Sequence, residues 1–281
     1  MELPQRSAAG QLARACHPEP TVAVTALTAG LAALAGLPWT TGLLVVAAVF
    51  TGQLSIGWSN DALDAARDRL ADRTDKPIAT GRVLRRTVAA VAGGALLLTV
   101  VLSLWLGLLP GSAALTVVAC GWAYNLGLKA TWLSFLPYAV AFGVLPAVAT
   151  LPLPGNPWPA GWAMLAGALL GVAAHLLNVL PDLDEDLATG VRGLPHRLGR
   201  RATAVLGPVL LLIASTVIIA GPPGRPPPWM WAAAVVLAVV AATGVKVGLG
   251  GTHLRLLFLA ALVVAVADLV LFAISGASLL S

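Results

Sequence analysis

Two stretches of this chain carry the same polar trio at the same spacing. The first reads NDALDAARD, from Asn60 to Asp68, and the second NVLPDLDED, from Asn178 to Asp186. Both contain Asn-x3-Asp-x3-Asp, and each member of the second trio lies 118 positions after its counterpart. Residues at i, i+4 and i+8 stay close to one face of a helix. Asn60, Asp64 and Asp68 therefore make one stripe, with Asp61 alongside, and Asn178, Asp182 and Asp186 make the other. Of the twelve acidic residues, nine fall in these two regions: Asp61, Asp64, Asp68, Asp72 and Asp75, then Asp182, Asp184, Glu185 and Asp186. So many like charges repel unless a cation lies among them. A hard, oxygen-seeking ion such as Mg²⁺, which commonly bridges carboxylates to substrate phosphates, suits that set. The plain alternative is a solvated acidic loop with arginines interleaved; the repeated spacing weighs against it.

A diphosphate needs further cations, and Lys76, Arg85, Lys129 and Arg192 are available nearby. Lys129 closes the string YNLGLK and is the only basic residue of its loop; Tyr124 and Asn125 lie about one turn deeper. His175, three residues before Asn178, faces either a substrate or a packing neighbour. Asp268 sits deep in an apolar stretch, where a carboxylate is costly, but it has no evident partner in sequence and lies far from both motifs. Gln53 and Ser55 are read as lining the polar end of a span.

The elements that must position these residues are membrane helices. Hydrophobic residues make up 58% of the 281, charged residues only 10%, and mean hydropathy is +0.89. A soluble domain carries about 25% charged residues. Apolar runs fall near 21–36, 38–57, 86–109, 111–128, 132–152, 160–180, 202–221, 229–249 and 254–277, and about 20 such residues cross the hydrocarbon. The fold class expected is an all-α integral membrane bundle of about nine helices around a central apolar chamber, forming one domain over 1–281. The N-terminal stretch has no apolar core of its own, so a retained first span is expected rather than a cleaved signal.

Basic residues set the orientation. With nine spans, 16 of the 17 Lys and Arg fall on one side and only Arg225 on the other. The positive-inside rule then places the N-terminus and both acidic regions in the cytoplasm and the C-terminus outside. The formal charge of +5 is this orientation signal, and nucleic acid is not an expected partner. Tryptophans such as Trp39, Trp58, Trp132, Trp158 and Trp229 lie near span ends, as an interfacial belt does. Cys16 and Cys120 form neither a disulfide framework nor a metal motif.

NDALDAARD, NVLPDLDED and YNLGLK, together with RTDKPIATGRV (73–83) and GVRGLPHRLGRR (190–201), resemble the UbiA superfamily of intramembrane prenyltransferases over nearly the whole chain. The resemblance implies a polyprenyl diphosphate substrate and two Mg²⁺ ions. Its metal ligands map to Asp61, Asp64, Asp68, Asp182 and Asp186, with Lys129 among the catalytic groups. Asn60, Asn178, Tyr124, Asn125, Lys76, Arg85, Arg192 and His175 would contact substrate. It further implies transfer of the prenyl group to an acceptor, aromatic or another small lipophile, at a cytoplasmic mouth of the cell membrane. One departure is plain: many family members acting on aromatic acceptors open the first span with Arg-Pro, where this chain has His17-Pro18. Two other readings are a UbiA-type terpene cyclase and a non-catalytic membrane protein or permease. Against the last, no span is interrupted midway by a polar Gly/Pro break, as transporter sites often are.

Overall fold

The computed structural model describes residues 8–249, 263–264, 266–268, 270 and 278–280. Among them it is all-helical: α1 (Ala8–Ala15), α2 (Pro18–Leu34), α3 (Trp39–Leu70), α4 (Arg85–Trp105), α5 (Leu108–Asn125), α6 (Leu136–Thr150), α7 (Gly161–Val179), α8 (Leu183–Ala188), α9 (Leu194–Ala220) and α10 (Pro228–Leu249). Eight of these, α2–α7 with α9 and α10, correspond to the first eight apolar stretches. The ninth, 254–277, lies mostly outside the described residues. Among the described residues, four helices are individually long and apolar enough to cross a membrane: 39–70, 85–105, 161–188 and 194–220. The chain is a multi-pass membrane protein.

Punctuation in the sequence sets the helix ends. α2 begins with Pro18 in its first turn, where the missing N–H costs nothing. α9 contains a non-helical residue, Gly199 (φ 80°, ψ 164°), that separates a short entry turn from the long apolar run. α1 was not anticipated from the sequence, because eight residues with two arginines nearby give no span-like signal.

α3 differs most from its expected form. The apolar run ends near residue 57, yet the helix continues to Leu70, 32 residues in all, or about 48 Å at 1.5 Å per residue. The hydrocarbon is about 30 Å thick, so the last turns stand clear of it. The first carboxylate set therefore rides on this extension of the helix, as its i, i+4, i+8 spacing requires.

Small residues let the helices approach closely. Gly167 and Gly171 of α7 lie against the backbone carbonyls of Phe142 and Tyr138 on α6, where any Cβ would collide. Such contacts suit a medium in which helices associate by packing rather than by apolar exclusion from water. Polar bridges supplement them: Ser55 on α3 donates to the Ala92 carbonyl on α4 at 2.9 Å and accepts from Trp122 Nε1 on α5 at 3.0 Å. Ser55 thus joins three helices and is not a polar lining residue. Both cysteines are free thiols.

Candidate active site

The end of α3 buries its acids. Asp61, Asp64 and Asp68 are all shielded from solvent, at helical spacing, on the side facing α5 and the following loop. Asn60 donates to Asn125 Oδ1 at 3.1 Å, and Asn125 Nδ2 donates back to the Ile56 carbonyl and Ser59 Oγ at 2.9 and 2.8 Å. These bonds lock the ends of α3 and α5 together. They account for the YN of YNLGLK: Asn125 is a brace behind the first carboxylate set.

Cations reach those acids from two loops. Lys129, in a 3₁₀ turn after α5, lies 2.5 and 2.6 Å from the two oxygens of Asp64, and Arg67 adds a third contact at 2.8 Å. Burial draws the Lys129 ammonium below the usual lysine range, a pull that the Asp64 carboxylate opposes. Lys76, in the loop after α3, lies 2.6 Å from Asp61 Oδ1, and His17 Nε2 lies 3.0 Å from the same oxygen. Asp61 Oδ2 is buried and has no hydrogen-bond partner.

The second set is built differently. α7 stops at Val179, a 3₁₀ turn with Pro181 covers 180–182, and α8 starts at Leu183. The continuous i, i+4, i+8 stripe expected for Asn178, Asp182 and Asp186 is thus interrupted, because proline lacks the N–H that an unbroken α-helix uses. Asn178 and Asp182 are exposed and Asp186 half-buried. Asp186 lies 3.3 Å from the buried His196, an ion-pair distance without hydrogen-bond geometry. Asp184 pairs instead with Arg200 at 2.6 Å.

One residue spans the two sets. Arg73 grips Asp75 with two bonds of 2.9 Å, and its Nη1 lies 3.2 Å from Glu185 and 3.9 Å from Asp182. Hydrogen bonding to Arg73 holds the Asp75 carboxyl below the usual carboxylate range, and the surrounding carboxylates raise the guanidinium. Sequence reasoning counted Arg73 only as an orientation signal. Its place in a run of five aspartates was the available clue.

Not every expected residue joins the cluster. Arg85 Nε donates to the Ala62 carbonyl at 2.8 Å, and so supports the backbone of α3. Arg192 is exposed on the loop before α9, where its carbonyl accepts from Arg197. His175 is buried inside the bundle: Nε2 lies 3.0 Å from Ser134 Oγ, and the ring contacts Tyr138 and Tyr124 at centroid distances of 5.0 and 5.7 Å. Tyr138 in turn stacks on Phe142 at 6.4 Å. This aromatic group lies below the carboxylates, between α5, α6 and α7. Beyond it, at the other end of the bundle, an apolar cavity of about 70 Å³ is lined by Leu31, Phe142, Trp162 and Asp268. Asp268 is held there by Ser215 at 2.8 Å; this serine is the partner that the sequence did not reveal.

Among the described residues no three His, Cys, Asp or Glu side chains close into a ready-made metal cage. The fit is instead to an ion shared with a ligand: Mg²⁺ is usually held by one or two carboxylates plus substrate phosphates, and the unpartnered Asp61 Oδ2 is one oxygen of that kind.

With that geometry, the family comparison is decisive: the model for the UbiA prenyltransferase family matches residues 21–249. This chain belongs to the UbiA prenyltransferase family. It is an enzyme of the UbiA prenyltransferase type. It is 25% identical, over 195 residues covering 67% of this chain and 68% of the relative, to the digeranylgeranylglyceryl phosphate synthase of Thermococcus kodakarensis. Its fold is that of a UbiA homolog from Archaeoglobus fulgidus bound to GPP and Mg²⁺ (TM-score 0.69, 14% identity, 95% of this chain and 98% of that one). A UbiA homolog from Aeropyrum pernix K1 is equally similar (TM-score 0.69, 18% identity, 90% and 97%).

Proposed function

We propose that this UbiA prenyltransferase ionises a polyprenyl diphosphate with the help of Mg²⁺ and transfers the prenyl group to an acceptor at a cytoplasmic mouth. The observation that carries this reading is that Arg73 joins the two acidic regions while Lys129 sits on Asp64, at the rim of an aromatic-lined bundle. The relative from A. fulgidus, whose structure holds GPP and Mg²⁺, supports the same ligand chemistry.

Asp61, Asp64 and Asp68 from α3 and Asp182 and Asp186 from the second set would hold the metal. Magnesium held by these residues would supply positive charge against the negative charge that builds as the allylic C–O bond breaks. Lys76, Lys129 and Arg73 add fixed positive charge around the departing diphosphate, and Asn60 and Asn125 keep the helix ends in register. The prenyl tail lies in the apolar bundle. Tyr124 and Tyr138, in edge-to-face contact at 5.3 Å, would supply aromatic rings near the allylic cation, which such rings attract. The packed helices keep water from it.

Transfer is preferred to cyclisation because the curated relative is a synthase named for a glyceryl phosphate carrying two geranylgeranyl groups. That name also directs the acceptor away from the expected aromatic ring and toward a lipophile with an anionic glyceryl head, which the exposed Arg192 and Arg197 at the mouth would attract. The test is diphosphate release by the purified, reconstituted protein with Mg²⁺ and prenyl diphosphates of several lengths. Three arms are run: a prenylated glyceryl phosphate, an aromatic acid, and no acceptor. Release is expected only when an acceptor is present, and fastest with the glyceryl phosphate. A cyclic terpene formed without acceptor at the full release rate overturns the transferase reading.

A further inference from the structure

The corner between α1 and α2, where His17-Pro18 replaces the Arg-Pro pair, is fixed against the first carboxylate set from several directions. Trp58 Nε1 on α3 donates to the Leu12 carbonyl at 2.9 Å, and Arg14 donates to the Asp75 carbonyl at 3.4 Å. Thr21 Oγ1 donates to the Cys16 carbonyl at 3.0 Å. Gly57 lies directly against that carbonyl, so closely that no side chain fits. The outcome is His17 in the left-handed region, φ 54° and ψ 72°. A residue with a Cβ rarely adopts that conformation and keeps it only where its surroundings over-determine it.

This unusual backbone delivers the imidazole to one oxygen of one carboxylate. His17 Nε2 stands 3.0 Å from Asp61 Oδ1, Lys76 Nζ stands 2.6 Å from the same oxygen, and the two nitrogens are 2.9 Å apart. A protonated Nε2 donates to Oδ1; an unprotonated one accepts from Lys76, which itself donates to Oδ1. In either tautomer the ring engages the same side of the carboxylate. Asp61 is only 1% exposed, and its other oxygen, Oδ2, is buried with no partner. Buried carboxylate oxygens are normally satisfied, so this one is an acceptor held ready for a ligand.

We propose that His17 is a positioning residue for the metal site: with Lys76 it occupies Asp61 Oδ1 and so directs Oδ2 to the ion. The segment from α1 to His17 is thereby part of the active site, although it lies before the two acidic motifs. This rests on the reading of Asp61 as a Mg²⁺ ligand. Groups that orient a ligand from behind typically contribute 10–100-fold in metal affinity or activity, and His17 has that relation to Asp61.

The experiment compares full-length wild type, His17→Gly and His17→Gln. Glycine removes the imidazole and suits a positive φ, so the variant is not penalised for its backbone. Glutamine reaches the Nε2 position with a polar group. Mn²⁺ binding in the presence of inorganic diphosphate is followed by the loss of the free-ion paramagnetic resonance signal, and turnover is titrated with Mg²⁺. His17→Gly is expected to weaken Mn²⁺ binding by about 10–100-fold. The Mg²⁺ needed for half-maximal turnover rises in parallel, kcat at saturating Mg²⁺ changes little, and His17→Gln recovers most of the affinity. Unchanged Mn²⁺ affinity in His17→Gly overturns this role for His17 while leaving the proposed function in place. A fall in kcat that saturating Mg²⁺ does not restore also overturns it, since that would put the imidazole on the substrate. If wild type binds no Mn²⁺ with diphosphate, the reading of Asp61 fails as well.

Discussion

Arg73 Nη1 and Glu185 Oε1 lie 3.2 Å apart although 112 residues separate them in the chain. Through this contact and the neighbouring Asp182, the loop after α3 is tied to the turn after α7. The two acidic regions thus meet in space, with the Arg73 guanidinium joining Asp75 of the first to Asp182 and Glu185 of the second.

A first expectation concerns that unity. Asp64→Ala and Asp182→Ala should each reduce turnover more than about a hundredfold, the scale of losing one fixed electrostatic group at a reacting centre, while the protein still inserts and purifies normally. The double variant should be little worse than either single, as for residues that act as a unit. Near-normal turnover in either single variant would sink the shared-site reading.

Arg73 itself gives a second. Hydrogen bonds to charged groups contribute about 1.5–3 kcal/mol, so Arg73→Ala should lower kcat/KM by roughly 10–100-fold. Arg73→Lys should recover only part, because an ammonium cannot reproduce the two-pronged grip on Asp75. The acid side of the stability profile has a definite sign. Asp75 has a folded pKa below its unfolded value, so the pair stabilises the protein above the ordinary aspartate range, near pH 4. That contribution disappears as pH falls through the depressed value. The difference in melting temperature between wild type and Arg73→Ala should therefore be largest at neutral pH and shrink in acid. A difference that is constant down to strong acid would count against the pairing.

Ligand and metal should act together. Chelation should abolish diphosphate release, and added Mg²⁺ should restore it. Mg²⁺ with inorganic diphosphate should also raise the melting temperature; a ligand at a hundred times its Kd stabilises by about 2.7 kcal/mol. Asp64→Asn should lose that shift. Equal shifts in the variant and wild type would remove Asp64 from the ligand set.

Orientation is tested by labelling. Single cysteines at positions 75 and 190 should react from the same side of sealed vesicles, and one at position 225 from the opposite side, as the distribution of basic residues requires. Labelling of 75 and 225 from one side would refute the proposed topology.

The sequence made much of this architecture visible, for identifiable reasons. The apolar runs parted by GPPGRPPP show where α9 and α10 turn, since solvent and lipid impose opposite compositions; Pro110-Gly111, which reads as a turn in the sequence, lies instead in the first turns of α5, and the chain reverses at Gly107 (φ 105°). The repeated Asn-x3-Asp-x3-Asp pointed to paired acidic sites, and the lone Lys129 proved to sit on Asp64. What stayed hidden depended on contacts distant in sequence. Arg73 joins residues over a hundred positions away, and no local pattern marks a side chain that bridges two loops. His17 owes its place to a left-handed backbone set by Gly57 on another helix. The second stripe is broken because Pro181 has no N–H to continue the helix, a local effect that spacing alone does not show.

That break gives the site a mechanical asymmetry. The first three carboxylates are carried on one unbroken rod that runs through the bilayer and beyond it, so they move together or not at all. Of their counterparts, Asp182 closes a short proline-bearing turn and Asp186 lies on α8 beyond it, so the two are carried on different backbone segments. One side of the cluster is therefore laid out along a single helix axis, and the other is assembled from two segments joined at a turn.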